Sequence, residues 1–130
     1  MLKTDAITVG QLERELSQRI QSFYRNLLGN IPIKVSCHLF ANKLVVLAEN
    51  SITTAEKVLI EVGKEELAQK FRVNLEQSIR LKLKSLIEEI SQVEIADLLS
   101  ETSLDTELTG IIVVFNKIPK LRASRNSVSK

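Results

Sequence analysis

The sequence predicts an α+β domain, a mostly antiparallel four-stranded sheet with helices on one face, in the order α-β-β-α-α-β-β. Three observations predict it. Two pairs of apolar, β-type runs stand on either side of the segment Thr53–Gln92. That segment reads as a short capped helix, one glycine and then a long stretch of helical periodicity. Connections within each strand pair are short enough for hairpins, and the spacing that a doubly wound βαβ sheet needs is missing. With 130 residues, 44% hydrophobic and 26% charged, the chain has the size and composition of one domain that folds unaided.

The first helix opens at Thr8, which stands three residues before Gln11 in a capping-box spacing. Val9, Leu12, Leu16, Ile20, Phe23 and Leu27 then recur at three or four residues and define its apolar stripe, with Glu15 and Arg19 paired one turn apart on another face. Gly29 supplies the C-terminal stop. Beyond Pro32 the period becomes two: Ile33, Val35, Cys37 and Leu39 share one face of a strand, and Lys34, Ser36 and His38 share the other. Ala41-Asn42-Lys43 turns into Leu44–Ala48, an unbroken apolar run that suits a strand covered on both sides.

Thr53 and Glu56 repeat the capping box, and the helix they open ends near Gly63. In the long helix that follows, Leu67, Phe71, Leu75, Ile79, Leu83, Leu86 and Ile90 mark the apolar arc that should lie across the sheet. Val93, Ile95 and Leu99 share a face of the third strand, the chain turns between Asp105 and Gly110, and Ile111–Phe115 forms the fourth. Residues 1–116 thus form the domain, and residues 117–130 a tail that Pro119 starts off outside regular structure.

Charge is unevenly spread. The tail holds Lys117, Lys120, Arg122, Arg125 and Lys130 and no acid; taking those five from the 18 basic residues leaves 13 against 16 acidic, so the body is formally −3 although the chain is +2. Such a tail is either solvated chain or an arm that offers its cations to phosphate or lipid head groups. A single cysteine excludes an internal disulfide and any multi-cysteine metal cluster, and no stretch approaches the ~20 apolar residues that cross a bilayer. A cytoplasmic location is expected, peripheral to a membrane only through a partner.

No reaction centre emerges. Gly10, Gly29, Gly63 and Gly110 are too scattered to cradle phosphate. Cys37 and His38 are strand neighbours, so they point to opposite faces and cannot act as nucleophile and base together. His38, alone of its kind, reads as a surface or interface residue, and Glu65, Glu66, Glu88 and Glu89 read as solvated charge. No metal and no cofactor are expected, and the chain is expected not to be an enzyme.

Two charges are out of place. Arg72 falls among Ala68, Leu75, Ile79 and Leu83, inside the apolar arc, and Asp97 shares its nominal strand face with Val93, Ile95 and Leu99. Either Arg72 snorkels while a bulge turns Asp97 outward, or Arg72 makes a bidentate, partly buried bridge to Asp97 or Glu56 that ties the helical layer to the sheet or to a second subunit.

The chain resembles the MpsC-like domain family of bacteria over roughly residues 8 to 116. Residues that carry the resemblance are Leu27–Pro32, Leu44–Leu47, Ile52–Lys57, Phe71-Arg72, Leu86–Ile90 and Thr109–Val114. Two family patterns are altered: Gly-x-Gly-Pro reads Gly29-Asn30-Ile31-Pro32, and Leu-Thr-Pro-Ala-Glu reads Ile52-Thr53-Thr54-Ala55-Glu56, which still lets Thr53 cap. The resemblance implies an accessory cytosolic protein of a sodium-linked, membrane-potential-generating and inorganic-carbon uptake system, with a membrane-protein partner and no catalytic motif. Residue chemistry agrees with a non-enzymatic interaction module and homo-oligomer, a dimer before larger states, acting through the sheet face of Lys34, Ser36 and His38 or through the helices. The alternative is a regulatory domain that binds nucleic acid through the basic tail. Against it stand the acidic body and the 4% aromatic content, which leaves few rings for base stacking.

Overall fold

The computed structural model describes residues 7–29 and 32–121. Helix α1 spans Val9–Leu28, with the Thr8 hydroxyl accepting the Gln11 N–H at 3.2 Å and the Gln11 side chain accepting the Thr8 N–H at 2.8 Å. Gly29 closes it in the left-handed conformation at φ 89° and donates its N–H to the Arg25 carbonyl. Strands β1 (Lys34–Phe40) and β2 (Lys43–Glu49) follow, then α2 (Thr54–Glu61), α3 (Glu65–Ser91), β3 (Ile95–Ser103) and β4 (Leu108–Phe115). All strand pairs are antiparallel, in the spatial order β1-β2-β4-β3. Fold class and element order are those the sequence predicts.

Helices α1 and α3 pack on the sheet face that carries Val35, Cys37, Leu39, Leu44, Val46, Ala48, Leu98, Ile111, Val113 and Phe115, and these side chains with theirs make the main core. A smaller cluster of Ile52, Ala68 and Leu104 lies under α2, with Leu59 and Ile60 against it.

The helical stripes run at a slant that the sequence reading did not place. In α1 the buried row is Leu12, Leu16, Ile20, Tyr24 and Leu28; Phe23 is only partly buried and Leu27 is exposed. In α3 the inward rows are Ala68, Arg72 and the half-buried Glu76, then Ile79, Leu83, Ile87 and Ser91, so Leu67 and Phe71 face outward. Both helices follow steps of four, the inclined ridge along which helices pack, and polar residues occupy part of the α3 ridge.

Strand β2 is covered on one face, not two. Leu44, Val46 and Ala48 enter the core, whereas Val45 and Leu47 lie on the opposite face of the sheet. In β3 a register irregularity between Ile95 and Asp97 switches the phase, so that Ile95 and Leu98 point inward while Asp97 and Leu99 point outward. The sheet's rims are occupied by helix side chains: Gln21 and Glu13 of α1 accept the N–H groups of Val35 (3.2 Å) and Leu39 (2.8 Å), Glu88 accepts that of Ile95 (2.8 Å), and Arg80 donates to the Leu98 carbonyl.

Candidate functional site

The most concentrated polar chemistry lies where the start of α2 meets α3. Thr53 caps α2, its hydroxyl accepting the Glu56 N–H at 3.1 Å. The Glu56 carboxylate reaches back to accept both the N–H (2.9 Å) and the hydroxyl (2.8 Å) of Thr53. This local bond turns Glu56 inward, where Arg72 meets it from the middle of the adjacent α3 ridge. Arg72 donates through Nε to Glu56 Oε2 at 2.7 Å and through Nη2 to Oε1 at 2.6 Å, a bidentate fork, and Nη2 also reaches the Ser51 carbonyl at 2.6 Å. The Arg72 side chain is 2% exposed and that of Glu56 0%.

A chain of hydroxyls continues the network into the sheet. Ser51 Oγ and Thr109 Oγ1 lie 2.7 Å apart, as do Thr109 and Thr102, and the Thr102 hydroxyl donates to Glu76. Glu76 stands 3.9 Å from Arg72 Nη1, too far for a hydrogen bond, and Nη1 is the one buried side-chain nitrogen or oxygen without a partner among the described residues. The network thus joins α2, α3, β3 and β4 beside an open groove of about 550 Å³ lined in part by Arg72, Glu76, Arg80, Ser100 and Thr102.

Burial pushes the Glu56 carboxyl up, but the hydrogen bond from Arg72 and the two from Thr53 outweigh it and hold the group below its ordinary value. A depressed carboxyl contributes stability that is present above the unfolded-state value of 4.5 and is lost as pH falls through the lower folded-state value. Accordingly, urea midpoints should drop on acidification below about pH 4.5 more steeply for the natural chain than for Glu56→Gln. Parallel acid profiles would show that this carboxylate does not carry the loss.

Of the residues singled out from the sequence, the structure brings Arg72 and Glu56 together and leaves the others apart. Asp97 does not meet Arg72: the strand irregularity turns it outward to Arg80, 3.7 Å away on the surface. His38 is exposed on the outer face of β1, opposite in direction to buried Cys37, whose thiol is raised by desolvation. Lys117 and Lys120 are exposed and border a recess near Leu12 and Ile90, whereas Arg122 and Arg125 lie outside the described residues. Of the four glutamates read as solvated, Glu88 instead caps a strand N–H and Glu89 lies 3.9 Å from Arg19. Sequence reasoning missed Glu76, Ser51, Thr102 and Thr109; Glu76 was findable, since it follows Arg72 by one turn on the same arc.

Chemically, this arrangement is a latch. Its guanidinium and carboxylate offset each other's charge, and its hydroxyls donate or accept within the protein. Among the described residues no group of three or more His, Cys, Asp or Glu could hold a metal ion, and no helix is long and apolar enough to cross a membrane. Residues 8–117 match the family model described as MpsC, Na+-translocating membrane potential-generating system. No curated protein and no solved structure matches the chain.

Proposed function

The chain belongs to the MpsC family, whose description ties it to a Na+-translocating, membrane-potential-generating system, and from that premise we propose that it serves such a system as a non-catalytic accessory protein that binds other proteins. The observation that carries this reading is the distribution of polar and apolar side chains. Convergent polar groups are consumed in the buried latch, while Val58, Val62, Leu67 and Phe71 on the helical side and Leu47, Leu99 and Ile112 on the sheet side are exposed. Exposed apolar rows of this kind mark surfaces that other proteins cover. The working location is the cytoplasmic face of the membrane, reached by docking, in a system that the family resemblance links to inorganic-carbon uptake.

The test is capture of the tagged full chain from membranes cross-linked in the native cell, read by mass spectrometry against an untagged control. Enrichment of the Na+-translocating membrane subunits is the expected result. Recovery of those subunits at the control level, with the tagged protein folded and abundant, would remove the basis of the proposal.

A further inference from the structure

The outer face of the sheet is a ladder of four rows, fixed by the strand register. From one end these are Lys34, Glu49, Leu108 and Ser103; then Ser36, Leu47, Gly110 and Glu101; then His38, Val45, Ile112 and Leu99; and last Phe40, Lys43, Val114 and Asp97. Along the central strands β2 and β4 the middle two rows are Leu47 beside Gly110 and Val45 beside Ile112, with Leu47 36% and Ile112 47% exposed. Lys43 and Glu49 close the two ends of β2. No helix among the described residues covers this face, and helix side chains already bond four backbone groups at the sheet's rims, so the open face is the surface on which a further protein packs.

We infer that the occupant of this face is a second copy of the same chain, related by a two-fold axis that lies in the interface perpendicular to the strands, between the two middle rows. This inference rests on reading the chain as an interaction module and names one partner. The axis lays β2 on β2 and β4 on β4 with the row order reversed. Lys43 of each copy then faces Glu49 of the other, Val45 faces Leu47, and Val114 faces Leu108. Ile112 faces Gly110, whose missing side chain leaves room for it; a Cβ at Gly110 would meet no heavy atom within 4 Å in the monomer. On the central strands β2 and β4 every charge gains an opposite partner and every large apolar side chain gains an apolar partner or a glycine notch. On the outer strands Leu99 faces Glu101 and Phe40 faces Lys34 at the rim of the contact. A two-fold axis parallel to the strands, the alternative strand-aligned pairing, would lay β2 on β4 and press Lys43 onto Val114 and Glu49 onto Leu108, leaving both charges desolvated without a partner. Of the two strand-aligned self-pairings, charge complementarity therefore favours the first.

Four strands at about 4.8 Å spacing, each about seven residues long at about 3.4 Å, make a face roughly 20 Å by 24 Å. That is small among specific interfaces, and it fits a reversible dimer.

Sedimentation equilibrium of the purified full chain, from micromolar to near-millimolar concentration, tests the inference. A monomer–dimer equilibrium is expected. Ile112→Arg, on the open face of β4, raises the dissociation constant by more than about tenfold. Lys43→Glu and Glu49→Lys each weaken the dimer by placing like charges opposite one another, and the double swap K43E/E49K restores it. Thermal melts of the four variants confirm that each monomer is folded. A chain that stays monomeric across the range, a dimer indifferent to Ile112→Arg, or single swaps that the double swap does not rescue would each overturn the inference. Because purified protein alone is used, these outcomes are separate from capture of the membrane subunits: dimerisation can fail while capture succeeds, and the reverse.

Discussion

Replacing Arg72 by Met should destabilise the domain by about 3–5 kcal/mol, because it leaves the Glu56 carboxylate 0% exposed without its counter-charge. Thr53 would still donate two hydrogen bonds to Glu56, but neither carries positive charge. The Ser51 carbonyl would lose the donor it receives from Nη2. Arg72→Lys should recover only part of the loss: an ammonium can meet one carboxylate oxygen but cannot reproduce the fork and reach Ser51 as well. Urea unfolding of Arg72→Met, Glu56→Met and the double variant measures the coupling. The double variant should lose much less than the two singles summed, since no lone charge remains buried. A loss below about 1 kcal/mol for Arg72→Met would mean that Glu56 escapes to water and that the latch holds nothing together.

Ile87→Ala should cost about 2–5 kcal/mol, whereas Leu67→Ala should stay within about 0.5 kcal/mol of the natural chain. Both residues are large and aliphatic and both lie on α3. The difference is packing: Ile87 is 0% exposed in the main core, and Leu67 is 51% exposed. Truncating Ile87 removes transfer energy and leaves a void between α3 and the sheet that close-packed neighbours fill only in part. A lower denaturation midpoint for Leu67→Ala than for Ile87→Ala would show that the helix rides on the sheet in the other phase.

That phase marks where the sequence stopped being legible. Caps were readable because they are local: Thr8 with Gln11, Thr53 with Glu56 and Gly29 need only neighbouring backbone, and each caps its helix as expected. Alternation in β1 was readable for a similar reason, as Lys34, Ser36 and His38 are polar enough to mark the outer face. In the first half of α3, the ridge Leu67–Phe71 looks like the core and the ridge Ala68–Arg72–Glu76 does not, yet the second is the one that turns inward. Hydropathy ranks a buried ion pair as surface, and its partner lies in another element. The strand irregularity before Asp97 was likewise invisible, since only pairing with β4 reveals it. Nor did the apolar run Leu44–Ala48 say that one of its faces stays open, because Val45 and Leu47 on the open face are as apolar as Leu44, Val46 and Ala48 in the core. Arg72 itself was legible as a misfit, and Glu56 was one of its two named partners; geometry chose between Glu56 and Asp97.

The strand order β1-β2-β4-β3 has a kinetic consequence. Each hairpin closes locally, but the seam between β2 and β4 joins Glu49 to Leu108 and Lys43 to Val114, with α2 and α3 threaded between. Loop-closure entropy for that seam is spent before its contacts form, so the two hairpins and the long helix assemble first and their joining sets the speed of folding. Until they join, β2 and β4 each present an unpaired apolar edge, and the growing chain is most prone to mispairing in that interval.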